Sequence, residues 1–129
     1  MSPTTWFIVH FVVGIAGAAM ARSYARSRAM VDEPGERRSH SVPTPRGGGA
    51  AIAASLLLAT GWLCWIHPDA QPLLGGFGIG LTLVSLVGWM DDVRPLPPWT
   101  RLAVHVVAGG VFALGAWAQT GDLLVALVA

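Results

Sequence analysis

Two adjacent aspartates, Asp91 and Asp92, close a long uncharged stretch of the sequence, and Arg94 and Pro95 follow at once. Adjacent carboxylates repel each other, and at the end of a helix they also meet the partial negative charge of its C-terminus. A cation answers both problems. Magnesium favours oxygen ligands, accepts one or two carboxylates and completes its shell with water and phosphate oxygens, so Asp91 and Asp92 are candidate metal-binding and catalytic residues. The plainer reading is that the pair ends a helix beside Pro95 and is neutralised by Arg94 or Arg101. Both readings stay open on the residues alone, although ionisable groups at a membrane interface usually carry function.

A second polar cluster, residues 32 to 49, holds Asp32, Pro34, Arg37, Arg38, His40, Pro43, Pro45, Arg46 and the run Gly47, Gly48, Gly49. Prolines fix φ and glycines allow close backbone approach, so the segment reads as shaped rather than slack. The arginines can fork onto phosphate oxygens, and His40 can donate a hydrogen bond or act as an acid. The glycine run can present backbone N–H groups at a helix start. A solvated anchoring loop is the alternative, because a glycine run alone is a weak phosphate signal. His105 follows Arg101 by four residues, which on a helix is the same face one turn deeper. It can enter a polar site or simply pack between helices. His10 and His67 have no evident partner, and Asp69 and Asp122 read as solvated.

The elements that must position these residues are membrane helices. Hydrophobic residues make up 53% of the chain and charged ones only 12%, with a mean hydropathy of +0.59, whereas soluble domains carry about 25% charge. Lysine is absent, and all basic residues are arginines confined to 22–46 and 94–101. Uncharged runs cover 6–21, 48–66, 73–90 and 102–118. They predict an all-α, polytopic transmembrane helical bundle, a single membrane domain with about four spans. Runs of this length reach about 24 to 28 Å, slightly short of a core of about 30 Å, so flanking residues are expected to supply the rest. Trp6, Trp62, Trp65, Trp89, Trp99 and Trp117 fall near run ends, as interface tryptophans do. Gly14 with Ala18, and Gly76 with Gly80, have the spacing of close helix contacts. The lone cysteine, Cys64, forms no internal disulfide. No basic residue precedes the first run, so it reads as a retained anchor, not a secretory signal. Loops 22–47 and 91–101 carry the arginines, which the positive-inside rule makes cytoplasmic. Membrane lipids are the expected surroundings, and no nucleic acid is expected as a partner.

Taken together, the two clusters resemble the polyprenyl-phosphate sugar-1-phosphate transferases, a membrane family that starts peptidoglycan lipid intermediates and O-antigen chains. The family's first cytoplasmic loop reads approximately Asp-x-Pro-x-x-Arg-x-x-His-x-x-Pro-x-Pro-x-x-Gly-Gly. Asp32, Pro34, Arg37, His40, Pro43, Pro45, Gly48 and Gly49 match it here. The aspartate pair that ends the family's third span is matched by Asp91 and Asp92, and Arg101, Leu102 and His105 resemble the segment that follows in the O-antigen subgroup. The full loop is most similar to bacterial enzymes that transfer N-acetylfucosamine- or quinovosamine-type sugars. The resemblance implies transfer of a sugar-1-phosphate from a UDP-N-acetylhexosamine-type sugar to undecaprenyl phosphate, with release of UMP. It also implies magnesium at Asp91 and Asp92, and a bacterial inner-membrane location. Asp32, Arg37, His40, Arg46, Gly48, Gly49, Arg101 and His105 would then contact the anionic substrates.

The family's later spans, a later metal-binding aspartate and a histidine-rich loop have no counterpart in this sequence. The apolar residues 123–129 read as the start of a fifth span, so the sequence is expected to be an N-terminal portion of a longer protein, inactive alone. An inactive remnant, or a small anion-handling transporter or scaffold, are the alternatives.

Overall fold

The computed structural model describes residues 2–28, 31–32, 44–45 and 47–122. The elements are α1 (Pro3–Ser27), β1 (Val31–Asp32), β2 (Thr44–Pro45), α2 (Gly49–Ile66), one 3-10 turn (Pro68–Ala70), α3 (Gln71–Val93) and α4 (Pro98–Thr120). Among the described residues, these 4 helices are long and apolar enough to cross a membrane. The protein is therefore an all-α, multi-pass membrane protein, as its composition predicts. Residues 123–129, where a further span was expected to start, lie outside the described residues.

Local sequence sets where the helices begin and stop. Ser2 opens α1, its Oγ accepting the Thr5 N–H at 3.2 Å, and Pro3 contributes a φ already suited to a first turn. α3 stops because Arg94 precedes Pro95, whose ring forces the residue before it into extended backbone, here φ −147° and ψ 118°. α4 opens behind Pro97 and Pro98, and ends at Gly121 with φ 69°, a left-handed position that suits glycine. The Gly121 N–H closes that end on the Trp117 carbonyl at 2.7 Å.

Three of the helices run past the uncharged stretches that announce them. α1 takes in Arg22 and Arg26, α3 takes in Asp91 and Asp92, and α4 takes in Arg101. A charge ends contact with hydrocarbon without ending a helix, whereas proline and glycine do end it. With 23 residues each, α3 and α4 are about 35 Å long, because residues 71–72 and 91–93, and 98–101 and 119–120, supply the length that the uncharged runs lack for a core of about 30 Å.

Two compact units divide the chain, Met1–Ser55 and Leu56–Ala129. In the first, α1 meets the opening turns of α2 at Gly17, where an added Cβ would stand 2.9 Å from the Cβ of Ala51. The expected contact through Gly14 and Ala18 is not the one found: a Cβ on Gly14 would meet nothing within 4 Å, and Ala18 is exposed. Small-residue spacing marks a permissive face without saying which neighbour will use it. β1 and β2 pair antiparallel, Val31 with Pro45 and Asp32 with Thr44, beside α1. The two ends of the polar loop are thereby held together.

In the second unit, α3 and α4 pack closely through the expected Gly76 and Gly80. A Cβ on Gly76 would stand 3.0 Å from the Val111 carbonyl oxygen, and one on Gly80 would stand 3.1 Å from that of Ala108. From the other side, a Cβ on Gly115 would collide with the Pro72 carbonyl oxygen. Phe77 and Phe112 close the contact edge to face, ring centroids 6.2 Å apart. Large apolar side chains elsewhere face outward, Phe7 69% and Val106 66% exposed, which suits a lipid surround.

Replacing Gly115 by leucine is expected to lower the thermal stability of the detergent-solubilised protein by about 1–3 kcal/mol through overpacking. Gly109→Leu, where an added Cβ meets open space, is expected to melt like the wild type. Equal melting of the two variants would show that the glycine contact does not hold α3 to α4.

Candidate functional site

Asp91 and Asp92 lie in the last turn of α3, and residues 94–97 carry the chain round to α4. The two acids are engaged differently. Asp91 Oδ1 accepts the backbone N–H of Leu96 at 2.8 Å, and its Oδ2 accepts Nη1–H of Arg101 at 3.1 Å. Leu96 carries the single backbone N–H of residues 95–98, because its neighbours Pro95, Pro97 and Pro98 have none. One carboxylate thus ties the end of α3 both to the turn and to the start of α4. Arg101, not Arg94, supplies the cation. With side chains 45% and 29% exposed for Arg101 and Asp91, solvent screens the ion pair, which contributes at most about 1 kcal/mol. The N–H bond and the prolines do more to set the shape of the turn.

Asp92 is half-buried and makes no hydrogen bond or ion pair among the described residues. It is the acid of the pair still available to a ligand. Arg101 retains N–H donors beyond the one given to Asp91. One turn on, the His105 ring sits with Nδ1 2.7 Å from the Arg101 carbonyl oxygen. A carbonyl only accepts, so Nδ1 carries a proton toward it. His105 is exposed. Beside this group, a cleft of about 600 Å³ is lined by Trp89, Met90, Val93, Arg94 and residues 95–97 of the turn itself.

Magnesium fits this donor set in a limited way. Among the described residues no group of three or more His, Cys, Asp or Glu side chains gathers to hold a metal. Asp92 can supply one carboxylate oxygen, and Asp91 can add a further lone pair without releasing Leu96 or Arg101. Water and phosphate oxygens would fill the remaining positions, which is how magnesium is commonly held.

Less can be said of the polar loop. Arg37, His40 and Arg46 lie outside the described residues. Asp32 is in β1, paired through its backbone with Thr44. Gly47 takes a φ of 87°, which favours glycine, and its carbonyl accepts the Ala50 N–H at 3.1 Å. Gly48 lies in this turn and Gly49 is the first residue of α2, whose first turn holds no acidic residue. That helix start is electrostatically suited to an anion.

Sequence reasoning missed one polar contact. His10 of α1 has its Nδ1 2.7 Å from Ser55 Oγ of α2 and its ring stacked on Trp6, centroids 5.0 Å apart. Nothing in the spacing of residues 45 positions apart announces it, although a histidine within a span is itself a reason to look for a partner. No family model, curated protein or solved structure matches the chain.

Asp91→Ala is expected to destabilise the solubilised protein by about 1–2 kcal/mol, the sum of one hydrogen bond and a screened ion pair. Asp92→Ala is expected to unfold at or slightly above the wild-type temperature, since it breaks no hydrogen bond or ion pair among the described residues and removes a carboxylate repelled by Asp91 and by the helix end. Thermal unfolding followed by circular dichroism distinguishes the two, and equal losses would contradict the assignment of Asp91 as the tie.

Proposed function

We propose that this protein works in the transfer of a sugar-1-phosphate from a UDP-N-acetylhexosamine-type sugar to undecaprenyl phosphate, as a member of the polyprenyl-phosphate sugar-1-phosphate transferases. The observation that carries the reading is the carboxylate of Asp92, without a partner among the described residues, at the end of a membrane helix, next to Asp91 and with Arg101 one ion pair away. The motif of residues 32–49 adds the second half of the argument. In this reading both segments face the cytoplasm of a bacterial inner membrane, where a water-soluble nucleotide sugar and a membrane-bound phosphate can meet.

In the reaction, an oxygen of the lipid phosphate attacks the β-phosphorus of the UDP-sugar. A new P–O bond forms, the bond from that phosphorus to the bridging oxygen breaks, and UMP departs with the electron pair. Such chemistry needs positioning and charge neutralisation more than covalent help. Magnesium, when bound, would supply positive charge to the diphosphate. Asp92 would hold that ion or take the proton of the acceptor phosphate. Asp91 would set the turn that presents Asp92 and Arg101, and Arg101 with His105 would meet anionic oxygens. Arg37, His40, Arg46 and the helix start at Gly48 and Gly49 would hold the remaining phosphate charge, with Asp32 at the base of the loop.

The test is transfer of labelled sugar phosphate to undecaprenyl phosphate in membranes from cells expressing the gene's complete reading frame. Asp92→Asn is expected to lower transfer by about 100-fold or more at unchanged protein level, and chelation of divalent cations to abolish it until magnesium returns. Wild-type transfer by Asp92→Asn would remove it from the mechanism, and failure of the wild type with every UDP-N-acetylhexosamine offered would sink the family assignment.

A further inference from the structure

The last turns of α1 carry two arginines, Arg22 and Arg26, and a third, Arg28, caps the helix end; their standing is unequal. The guanidinium of Arg28 lies over the Tyr24 ring, 5.7 Å from its centroid. Arg22 and Arg26 are exposed and meet no hydrogen-bond or ion-pair partner among the described residues, and α1 contains no acidic residue to offer one. They are four positions apart, so both project from one side of the helix.

That side is more than a charged strip. Ile15, Ala18, Ala19, Arg22, Ser23 and Arg26 recur at steps of three and four and line a concavity of about 510 Å³. From Ile15 to Arg26 the strip is about 17 Å long at the helical rise, close to one leaflet's share of a core of about 30 Å. Its two ends differ in chemistry. Toward the end of α1 it offers two guanidinium groups with a hydroxyl between them; deeper, it offers Ile15 and two alanines, which leave space beside the backbone that larger side chains would fill.

We propose that this strip binds one anionic membrane phospholipid, its phosphate on Arg22, Ser23 and Arg26 and one acyl chain along Ala19, Ala18 and Ile15. Charge complementarity selects the headgroup: a zwitterionic lipid would neutralise the two cations only in part, and arginine forks onto phosphate oxygens in pairs. The apolar half selects a lipid over a soluble anion, because inorganic phosphate would leave that surface uncovered. Depth agrees with both, since basic side chains at the end of an apolar helix lie at headgroup level, where anionic lipids concentrate them. None of the six residues belongs to the acidic pair or to residues 32–49, so the inference stands or falls apart from the proposed transfer reaction.

The test is native mass spectrometry of the full chain in detergent, titrated with phosphatidylglycerol, phosphatidylcholine or inorganic phosphate. One phosphatidylglycerol is expected to be retained in preference to phosphatidylcholine, and inorganic phosphate in excess is expected not to displace it. R22Q/R26Q is expected to weaken retention by about 25-fold, about fivefold for each charge removed, while R94Q, the same charge change on another segment, leaves it intact. A18L/A19L fills the deeper half with both arginines in place and is expected to weaken retention several-fold, which keeps the inference testable should the glutamine variant fold poorly. Wild-type retention by R22Q/R26Q or by A18L/A19L, or displacement by inorganic phosphate, would overturn it.

Discussion

Hydrocarbon offers no hydrogen bonds, and this single constraint organises the whole protein. Backbone groups inside a bilayer must be satisfied within their own segment, which leaves the helix as the usable form for a chain of this pattern. Side-chain hydroxyls obey the same demand. Thr60, Thr82, Ser85 and Thr120 each turn back to donate to the carbonyl four residues earlier, at Leu56, Gly78, Leu81 and Ala116. They cost the membrane little and offer a ligand little. His10 is less settled: Ser55 takes one ring nitrogen, while the other is buried without a partner among the described residues.

Polar chemistry is accordingly driven to the helix ends, and there the turn from α3 to α4 is the most developed feature. Prolines at 95, 97 and 98 leave residues 95–98 a single backbone N–H, on Leu96, which becomes worth capping. Asp91 caps it and reaches Arg101 with its second oxygen. The glycine contacts further along α3 and α4 allow the two helices to stand close enough for that bridge. Asp92 is left beside a carboxylate already committed elsewhere, a state that costs energy at the negative end of a helix and is relieved by a cation.

Much of this was legible in the residues. Apolar runs and the absence of lysine pointed to membrane helices, and Gly76 with Gly80 pointed to a close helix contact. Helix ends were harder, because charge marks where hydrocarbon stops while proline and glycine mark where a helix stops; α3 therefore carries Asp91 and Asp92 inside its last turn. Gly14 was a poorer guide than Gly17, since spacing does not reveal which neighbour approaches. Arg94 and Arg101 were equal candidates for the aspartates, and only the turn through Pro95 and Pro97 separates them. The different roles of Asp91 and Asp92 depend on a backbone N–H four to five residues on, which side-chain types do not encode.

The proposed chemistry requires the segment 32–49 and the end of α3 to share one membrane face. Single cysteines introduced by Ser39→Cys, Val93→Cys and Asp69→Cys, each in a Cys64→Ser background, can be labelled with a membrane-impermeant maleimide on intact cells and on inverted vesicles. Labelling of positions 39 and 93 in inverted vesicles alone, with position 69 labelled on intact cells, is the expected result. Labelling of 39 and 93 from opposite faces would contradict the proposal outright.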